Sequence, residues 1–295
     1  MIIIDYSQTI ISNLMAEIGN RTDVEIDVNL LRHMVINTLR SHKQKFGRDY
    51  GEIVIACDSK KYWRKQHFPY YKANRKKARE DSGFNWPLIF DTINIIKQEI
   101  RSFLPYRVIE VEGAEADDII ATLAEWSVDN DLKEGALFSE PAPLLIVSGD
   151  HDFIQLQKYP HVKQYSPIHK KYVKPDGTTP LAYVIEHIIK GDKGDGVPNV
   201  LTADDAIVNG VRQKPVSSKK LEQWVQNPST MPTDVIFQRN FHRNKTLVDF
   251  ECIPKDIKKE IINTFTNTSP GDRSKMLDYF ITNKMKMMME HISEF

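Results

Sequence analysis

Four short apolar runs rich in β-branched residues constrain the fold of this 295-residue chain more than any other feature. Runs of this kind are typical of strands that are buried on both faces of a parallel sheet. They are Ile2–Ile4, Ile53–Cys57, Tyr106–Val111 and Leu144–Val147. A further short strand is predicted at Val162–Tyr165.

Segments with helical periodicity lie between these runs. Leu30–His42, Trp86–Phe103 and Ala114–Trp126 each place apolar residues at helical spacing. Alternation of strand and helix predicts an α/β fold with a doubly wound, mostly parallel sheet. Ser127–Pro143 is polar, ends in prolines and is predicted to be a loop.

The strand signal fades after about Gly191, where the sequence becomes polar and helical. We therefore predict an α/β domain at residues 1–190 and a smaller helical domain at residues 191–295. No apolar run approaches the roughly 20 residues that a membrane span needs, so no membrane association is expected. The N-terminal run lacks a basic leader and is interrupted by Asp5, which favours a strand over a signal peptide. Two cysteines are too few for a disulfide framework, and a cytoplasmic setting is expected.

Nine carboxylates follow the predicted strands or lie in loops beyond them. Since ligand sites of open α/β sheets lie beyond the carboxyl ends of the strands, the fold brings these acids to one rim. They are Asp5, Asp58, Glu115, Asp117, Asp118, Asp150, Asp152, Asp192 and Asp195.

Each acid taken singly has an ordinary explanation as a helix N-cap or as a partner of the helix dipole. That explanation is weaker for the whole set, because caps do not require the Asp-x-Asp and Glu-x-Asp-Asp patterns seen here. Like charges gathered on one rim raise one another's pKa, and divalent cations relieve the repulsion. An all-oxygen ligand set suits Mg²⁺ or Mn²⁺, and a pair of such ions is a standard device for phosphodiester hydrolysis.

Residues 60–79 hold nine Lys or Arg residues, no Asp or Glu, and several interleaved aromatic residues. A solvated basic helix is one explanation. The alternative that we favour is a nucleic-acid contact, in which cations meet phosphates and bases stack on the rings. The candidate contacts are Arg64, Lys65, Tyr71, Lys72, Arg75, Lys76, Lys77 and Arg79, with Lys190 and Lys193 further along the chain.

With these residues in place, the chain resembles the 5′-nuclease (flap endonuclease) superfamily and is most similar to its ribonuclease H branch from T-even bacteriophages. Val-Ser-Gly-Asp-His-Asp at 147–152 resembles the family's Ser-x-Asp-x-Asp motif. Gly-Asp-Lys-Gly-Asp-Gly at 191–196 resembles its Gly-Asp-x-x-Asp-Asn motif. Phe-Pro-Tyr-Tyr-Lys-Ala-Asn-Arg at 68–75 resembles the entry to its helical arch, which we expect at about residues 60–85.

The resemblance implies two Mg²⁺ ions, for which Mn²⁺ would substitute. Asp5, Asp58, Asp117 and Asp150 would surround the first ion with Glu115 nearby, and Asp152, Asp192 and Asp195 the second with Asp118 close by. Lys72 and Arg75 on the arch would contact the scissile phosphate, so Lys72, Arg75, Asp117 and Asp150 are the candidate catalytic residues.

The resemblance also implies a biological role. Members remove RNA primers with adjacent DNA, or 5′ flaps, during lagging-strand replication. The expected substrates are branched or nicked DNA and RNA–DNA duplexes with a 5′ end. A single-stranded-DNA-binding protein and a sliding clamp are the partners that the family suggests, and a monomer in the cytoplasm of a host cell is expected.

Two positions depart from the family pattern. Gly196 stands where the family usually has Asn, which removes a side-chain hydrogen bond. Val200–Lys214 lacks the glycine pattern of the family's duplex-binding helical hairpin, so the associated potassium site is not expected.

Three smaller features of the sequence have structural interpretations. We expect His151 to point away from the metals, Tyr6 and Ser7 to lie in a turn, and the methionines of Lys284–Phe295 to fill core space. Two other functions remain open at this point: a metal-dependent phosphatase for small esters, which would not need the basic segment, and a non-catalytic DNA-binding module, which would not need the acids.

Overall fold

The computed structural model describes residues 1–19, 27–133, 140–175 and 177–295. A six-stranded sheet forms the centre of this part of the chain, in the order β3-β2-β1-β4-β5-β6. Its strands are β1 Ile2–Asp5, β2 Ile53–Cys57, β3 Arg107–Glu110, β4 Leu144–Val147, β5 Val162–Ser166 and β6 Lys171–Val173.

Helices surround the sheet and form the C-terminal third of the chain. They are α1 Tyr6–Ile18, α2 Val28–Tyr50, α3 Arg64–His67, α4 Asn74–Asp81, α5 Trp86–Phe103, α6 Ala116–Asn130, α7 Pro180–Lys190, α8 Ser218–Gln226, α9 Val235–Val248, α10 Lys255–Asn267, α11 Met276–Thr282 and α12 Lys286–Glu290. Short 3₁₀ helices span His151–Lys158, Pro228–Thr230, Phe250–Cys252, Arg273–Lys275 and Ile292–Glu294.

The strand order places β1 in the middle, with β2 and β3 on one side and β4 and β5 on the other. These five strands are parallel, and only β6 pairs in the antiparallel sense. Successive strands are added toward one edge of the sheet from β1 to β3 and toward the other edge from β4 onward, so the order of addition reverses between β1 and β4. In a doubly wound sheet such a switch point opens a crevice at the carboxyl ends of the strands.

Alternate residues of each parallel strand enter two separate cores. Ile2 and Ile4 of β1 pack with α1, α2 and α5, whereas Ile3 packs with α6 and α10 on the opposite face. All three side chains are fully buried. Successive side chains of a strand point to opposite faces of the sheet. Because both faces are buried here, all three residues are apolar and the sequence shows a continuous hydrophobic run.

The predicted fold class and the five predicted strands are confirmed, with boundary shifts of a residue or two. The strand β6 was not predicted. Its three residues are exposed or half-buried, so they give no apolar run. The predicted loop at Ser127–Pro143 is wrong at its start, since α6 continues to Asn130, and residues 134–139 lie outside the described residues.

The helix α1 was also missed, and Tyr6 and Ser7 form its first turn instead of an isolated turn. Asp5 caps it by accepting a hydrogen bond from the backbone N–H of Gln8 at 3.0 Å. Tyr6, Ile10 and Leu14 then recur at a spacing of four on its buried face. The N-cap role of Asp5 therefore converts the end of a strand directly into the start of a helix.

The C-terminal tail returns to the sheet. Met285, Met288 and Phe295 are buried in the same core as Ile2 and Ile4. The prediction that the methionines fill core space is confirmed for Met285 and Met288, whereas Met287 is exposed. Residues beyond 191 thus do not pack only among themselves, and the predicted division at residue 190 stays a prediction.

No helix in the described ranges combines the length and the apolar character that crossing a bilayer requires.

Candidate active site

Three acids lie at the carboxyl edge of adjacent strands. Asp5 is the last residue of β1, Asp58 follows β2 directly, and Asp150 comes three residues after the end of β4. β1 pairs with β2 on one side and with β4 on the other, so the three carboxylates share one stretch of the rim. This is the crevice at the switch point of the sheet.

Backbone hydrogen bonds fix the orientation of these acids. Asp150 caps the following 3₁₀ helix through the N–H of Asp152 at 2.9 Å, and Asp58 accepts from the N–H of Ala116 at 2.9 Å. The second bond draws the N-terminus of α6, and with it Asp117, to the rim. The two explanations of these acids, as helix caps and as members of one acidic site, are therefore compatible, because the capping hydrogen bonds position the carboxylates at the rim.

The first acid group consists of Asp5, Asp58, Asp117 and Asp150, and the pKa values of Asp5, Asp117 and Asp150 are raised. Burial, followed by repulsion from Asp58, raises the pKa of Asp5 to about 7. Burial, followed by repulsion from Asp152, raises the pKa of Asp150 to about 6. Burial, then Asp150, also raises the pKa of Asp117 far above its ordinary value. Groups of this kind are stable in their ionised form only beside a cation.

A second group consists of Asp152, His187 and Asp192, whose potential ligand atoms all lie within 4.8 Å of one another. Asp152 is in the 3₁₀ helix after β4, His187 is in α7, and Asp192 follows that helix. Burial, then repulsion from Asp195, raises the pKa of Asp192. Sequence reasoning missed His187, and the only available signal was its place on a helix leading into the Gly-Asp motif.

Asp195, which is predicted to join this second group, also contacts the arch. It accepts a hydrogen bond from the hydroxyl of Tyr71 at 2.8 Å, forms an ion pair with Arg75, and lies 3.5 Å from Nζ of Lys72. Burial raises its pKa, but Lys72 and Arg75 outweigh that effect, and the pKa of Asp195 lies below its ordinary value.

Glu115 lies behind the rim with 1% of its surface exposed. It accepts hydrogen bonds from Arg64 at 2.8 Å and from the hydroxyl of Tyr71 at 3.0 Å, and it forms an ion pair with Lys72. Its carboxylate therefore links the base of the arch to the N-terminus of α6.

The expectation that Asp118 lies close to a second metal is not what the structure shows. Its carboxylate accepts from the indole N–H of Trp63 at 3.1 Å, from the backbone N–H of Glu115 at 2.9 Å, and pairs with Arg64 at 2.8 Å. The residue is fully buried. It completes a capping box at the start of α6, so its place is structural.

The basic segment divides into buried and exposed members. Arg64 and Tyr71 are 2% and 3% exposed and contact protein carboxylates, so the prediction of direct nucleic-acid contacts for these two does not fit their burial. Lys65, Lys76 and Lys77 are exposed. The guanidinium of Arg79 stacks over Trp86 and Phe90.

The two basic residues predicted further along the chain also differ from each other. Lys190 pairs with Glu186 one helical turn earlier, and Lys193 is exposed. His151 is exposed beside the rim.

The donor set fits divalent cations. Four carboxylates, three of them with raised pKa values, form the first group, and two carboxylates with the imidazole of His187 form the second. A cation in either place would offset charge that the protein itself leaves unbalanced.

Two family models cover the chain. Residues 1–183 match the N-terminal, resolvase-like domain of 5′–3′ exonucleases. The chain belongs to the 5′–3′ exonuclease family. Residues 179–295 match the C-terminal domain of T4 RNase H. Ribonuclease H of Enterobacteria phage T4 is 32% identical over 301 residues, which cover 99% of this chain and 95% of that protein.

More distant relatives share part of the chain or the fold. DNA polymerase I of Mycobacterium bovis is 29% identical over 179 residues, which cover 57% of this chain and 17% of the polymerase. The T5 D15 protein co-crystallised with metal ions has a TM-score of 0.61 at 14% identity, covering 89% of this chain and 98% of that one. A T5 D15 flap endonuclease complex with DNA and metal ions has a TM-score of 0.56 at 14% identity, covering 90% and 99%.

Membership of the 5′–3′ exonuclease family makes this chain a nuclease, that is, a phosphodiesterase-type hydrolase. The predicted family and enzyme class are confirmed. Among the open alternatives, a small-ester phosphatase and a non-catalytic binding module are both less consistent with this membership.

Proposed function

We propose that this nuclease uses two divalent metal ions to cut nucleic acid from a 5′ end, with both exonuclease and flap endonuclease action and with activity on RNA–DNA duplexes. The observation that carries the proposal is the contact between the basic segment and the acids. Lys72 forms an ion pair with Glu115, and Arg75 forms an ion pair with Asp195. A phosphodiester bound by these cations would be adjacent to the acids.

The first acid group would hold one ion, and Asp152, Asp192 and Asp195 would contribute to the second. Bound there, Mg²⁺ (or Mn²⁺ in its place) would supply a hydroxide nucleophile and neutralise charge on the phosphate. Asp117 and Asp150 are the proposed catalytic acids, and repulsion from neighbouring carboxylates helps to raise the pKa of each.

Lys72 and Arg75 would exchange their carboxylate partners for the scissile phosphate and stabilise the charge that develops on it. The exposed cations Lys65, Lys76 and Lys77, with Arg79, would follow the backbone of the incoming strand, and Lys193 and Lys190 would meet the duplex. Substrates would be branched or nicked DNA and RNA–DNA duplexes with a 5′ end or flap.

The biological role follows from the same chemistry and from the relatives named above. Removal of RNA primers with adjacent DNA, or of 5′ flaps, in lagging-strand replication would use each of these substrates. A single-stranded-DNA-binding protein and a sliding clamp are the proposed partners. We further propose a monomer acting in the cytoplasm of a host cell.

Replacement of Asp150 tests this function. Asp150→Asn keeps the size of the side chain and an acceptor for the N–H of Asp152, but it removes a charge from the first acid group. We expect cleavage of a 5′-labelled flap and of an RNA-primed duplex to fall by at least about 1,000-fold, since metal-based charge stabilisation contributes several kcal/mol. Binding of the same substrates should change less than about threefold, because phosphate contacts dominate affinity.

Asp272→Asn is the matched control. Asp272 caps the 3₁₀ helix Arg273–Lys275 through the N–H of Ser274 at 2.9 Å, with the same spacing as the cap at Asp150. It should retain normal cleavage. Near-normal cleavage by Asp150→Asn, or products that do not require Mg²⁺, would reject the proposed mechanism.

A further inference from the structure

His187 has surroundings that the proposed reaction does not use. Its Nδ1 lies 3.1 Å from Oδ1 of Asp152, and its Nε2 lies 3.9 Å from Oδ2 of Asp192. The side chain is 16% exposed, and Nδ1 is buried without a hydrogen bond of acceptable angle. One potential ligand atom from each of Asp152, His187 and Asp192 therefore lies within 4.8 Å of the others, which is close enough for the three to bind one cation together.

The fold holds this ring in a defined position. α7 packs against the 3₁₀ helix that carries Asp152, and the ring of Tyr183, one turn earlier, meets the imidazole edge-on with 5.9 Å between ring centroids. α7 ends at Gly191, which adopts φ of 68° and lies against the backbone of Val197 and Pro198. Asp192 therefore follows a sharply fixed turn, and rigid elements carry all three side chains.

The chemistry of the set differs from that of the first acid group. Carboxylate oxygens alone suit Mg²⁺, whereas an imidazole nitrogen shifts preference away from Mg²⁺ and toward first-row transition-metal ions, which include Mn²⁺ and Co²⁺. Asp195 is engaged by Tyr71, Lys72 and Arg75, so His187 completes the group of three that can close around an ion here.

We infer that His187 is a nitrogen ligand of the ion held by Asp152 and Asp192, and that this site selects Mn²⁺ or Co²⁺ over Mg²⁺. The inference rests on the proposed two-metal function and assigns it a further residue. The first acid group remains an all-oxygen site for Mg²⁺. The two ions of the proposed mechanism would then be chemically unlike, and the enzyme would reach full loading in mixed Mg²⁺ and Mn²⁺.

The test uses the full chain, with Mn²⁺ alone as the spectroscopic probe. Pulsed electron paramagnetic resonance of the Mn²⁺-loaded protein should show coupling to a histidine nitrogen, which uniform ¹⁵N labelling of histidine should shift. The coupling should persist in His151→Gln and disappear in His187→Gln. His151 is the matched control because it lies between Asp150 and Asp152 but is exposed.

Calorimetric titration adds a measurement that a purely structural role would not reproduce. In His187→Gln the affinity for Mn²⁺ and Co²⁺ should fall by about 10–100-fold at the weaker site, with a change below about threefold for Mg²⁺. If His187→Gln does not fold, the labelled wild type and His151→Gln still decide the question, because both must show the nitrogen coupling.

Absence of nitrogen coupling in the wild type would overturn the inference. Equal weakening of Mg²⁺ and Mn²⁺ binding in His187→Gln would also overturn it, because it would make His187 a residue that only positions Asp152. Either result is compatible with Mg²⁺-dependent flap cleavage by the wild type, so failure of this inference is distinguishable from failure of the proposed function.

Discussion

The backbone N–H of Lys72 donates to the carbonyl of Asp195 at 2.7 Å, and the ammonium of the same lysine lies 3.5 Å from the Asp195 carboxylate. Lys72 adopts φ of 55°, a left-handed conformation that is uncommon for a residue other than glycine and costs about 1–3 kcal/mol. The surrounding contacts therefore hold the arch lysine over the acids in a strained backbone. Such strain is concentrated at functional sites.

Neutralising Lys72 should impair cleavage more than binding. Burial opposes the charged form of its ammonium, but Asp195 and then Glu115 outweigh burial and raise its pKa, so the group is a fixed cation at the rim. In Lys72→Gln we expect kcat on a 5′ flap to fall by about 100–1,000-fold, the usual effect of removing one donor to a developing anion. Quench-flow kinetics and a binding titration on the same flap measure the two quantities.

Lys77→Gln provides the control, because Lys77 is exposed on α4, the helix that also carries Arg75. It should leave kcat unchanged, weaken binding modestly and lower the slope of log Kd against log salt by about one. A parallel loss of affinity and kcat in Lys72→Gln would contradict the proposed catalytic role of the lysine.

Stabilisation by Mg²⁺ should increase with pH. Asp5 and Asp150 have pKa values raised to about 7 and about 6, so the metal-free folded protein retains protons that the unfolded chain releases from about pH 4 upward. The unfolding free energy of the metal-free protein therefore falls as pH rises through this window. Mg²⁺ bound to the ionised acids would offset that loss.

Melting temperatures measured in EDTA and in excess Mg²⁺ test this expectation. The difference between the two should be larger at about pH 8 than at about pH 5, because the acids are ionised only at the higher pH. Asp150→Asn should reduce the difference at the higher pH. An equal difference at both pH values in the wild type would show that the first acid group does not hold the ion.

Much of the fold could be predicted, because its strongest signals are local. Ile2–Ile4 and Leu144–Val147 are apolar at every position, which identifies strands buried on both faces. Asp5 and Asp150 then follow from strand order alone, since parallel neighbours end at one edge. The helix α2 was predicted too short because polar residues after His42 obscure the apolar spacing of Phe46 and Tyr50.

The inner details of the site depend on tertiary contacts that the sequence does not reveal. A run of cations does not indicate which members are solvated, and Arg64 is buried against Glu115 and Asp118. The position of His187 depends on the rotation of α7 against the 3₁₀ helix carrying Asp152, 35 residues away in sequence. Neither relationship has a local periodicity that could predict it.

Replacing Arg64 should destabilise the fold instead of weakening a phosphate contact. Its guanidinium donates to the carbonyl of Leu247 and pairs with Glu115 and Asp118, each at 2.8 Å. Arg64→Met keeps the apolar stem but leaves buried carboxylates undercompensated, which should lower the unfolding free energy by about 3–5 kcal/mol. Urea denaturation measures the loss.

Arg79→Met is the corresponding control, since the Arg79 guanidinium stacks on Trp86 and Phe90 and has no carboxylate partner in the part of the chain that the structure describes. It should change the unfolding free energy by less than about 1 kcal/mol and reduce the salt dependence of binding. If Arg64→Met kept full stability and only weakened binding, the buried ion pairs would be assigned wrongly.

A side chain at Gly196 should displace the arch. Gly196 adopts φ of 76°, and a Cβ there would lie 3.0 Å from both the carbonyl oxygen of Tyr70 and Oδ1 of Asn74. Any larger side chain at this position therefore requires a shift of the arch base, which gives a physical reason for the glycine in this chain. Gly196→Ala should lower the unfolding free energy by about 1–3 kcal/mol and slow flap cleavage.

Gly210→Ala separates the two causes, because Gly210 has a similar φ of 67° but nothing within 4 Å of the added Cβ. It bears only the conformational cost, about 1 kcal/mol, and should cleave flaps normally. Stability from urea denaturation and single-turnover rates on one flap compare the pair. Gly196 lies against Tyr70 and Asn74 at the base of the arch that carries Lys72 and Arg75. Equal effects of the two alanines would mean that Gly196 is required only for its backbone conformation.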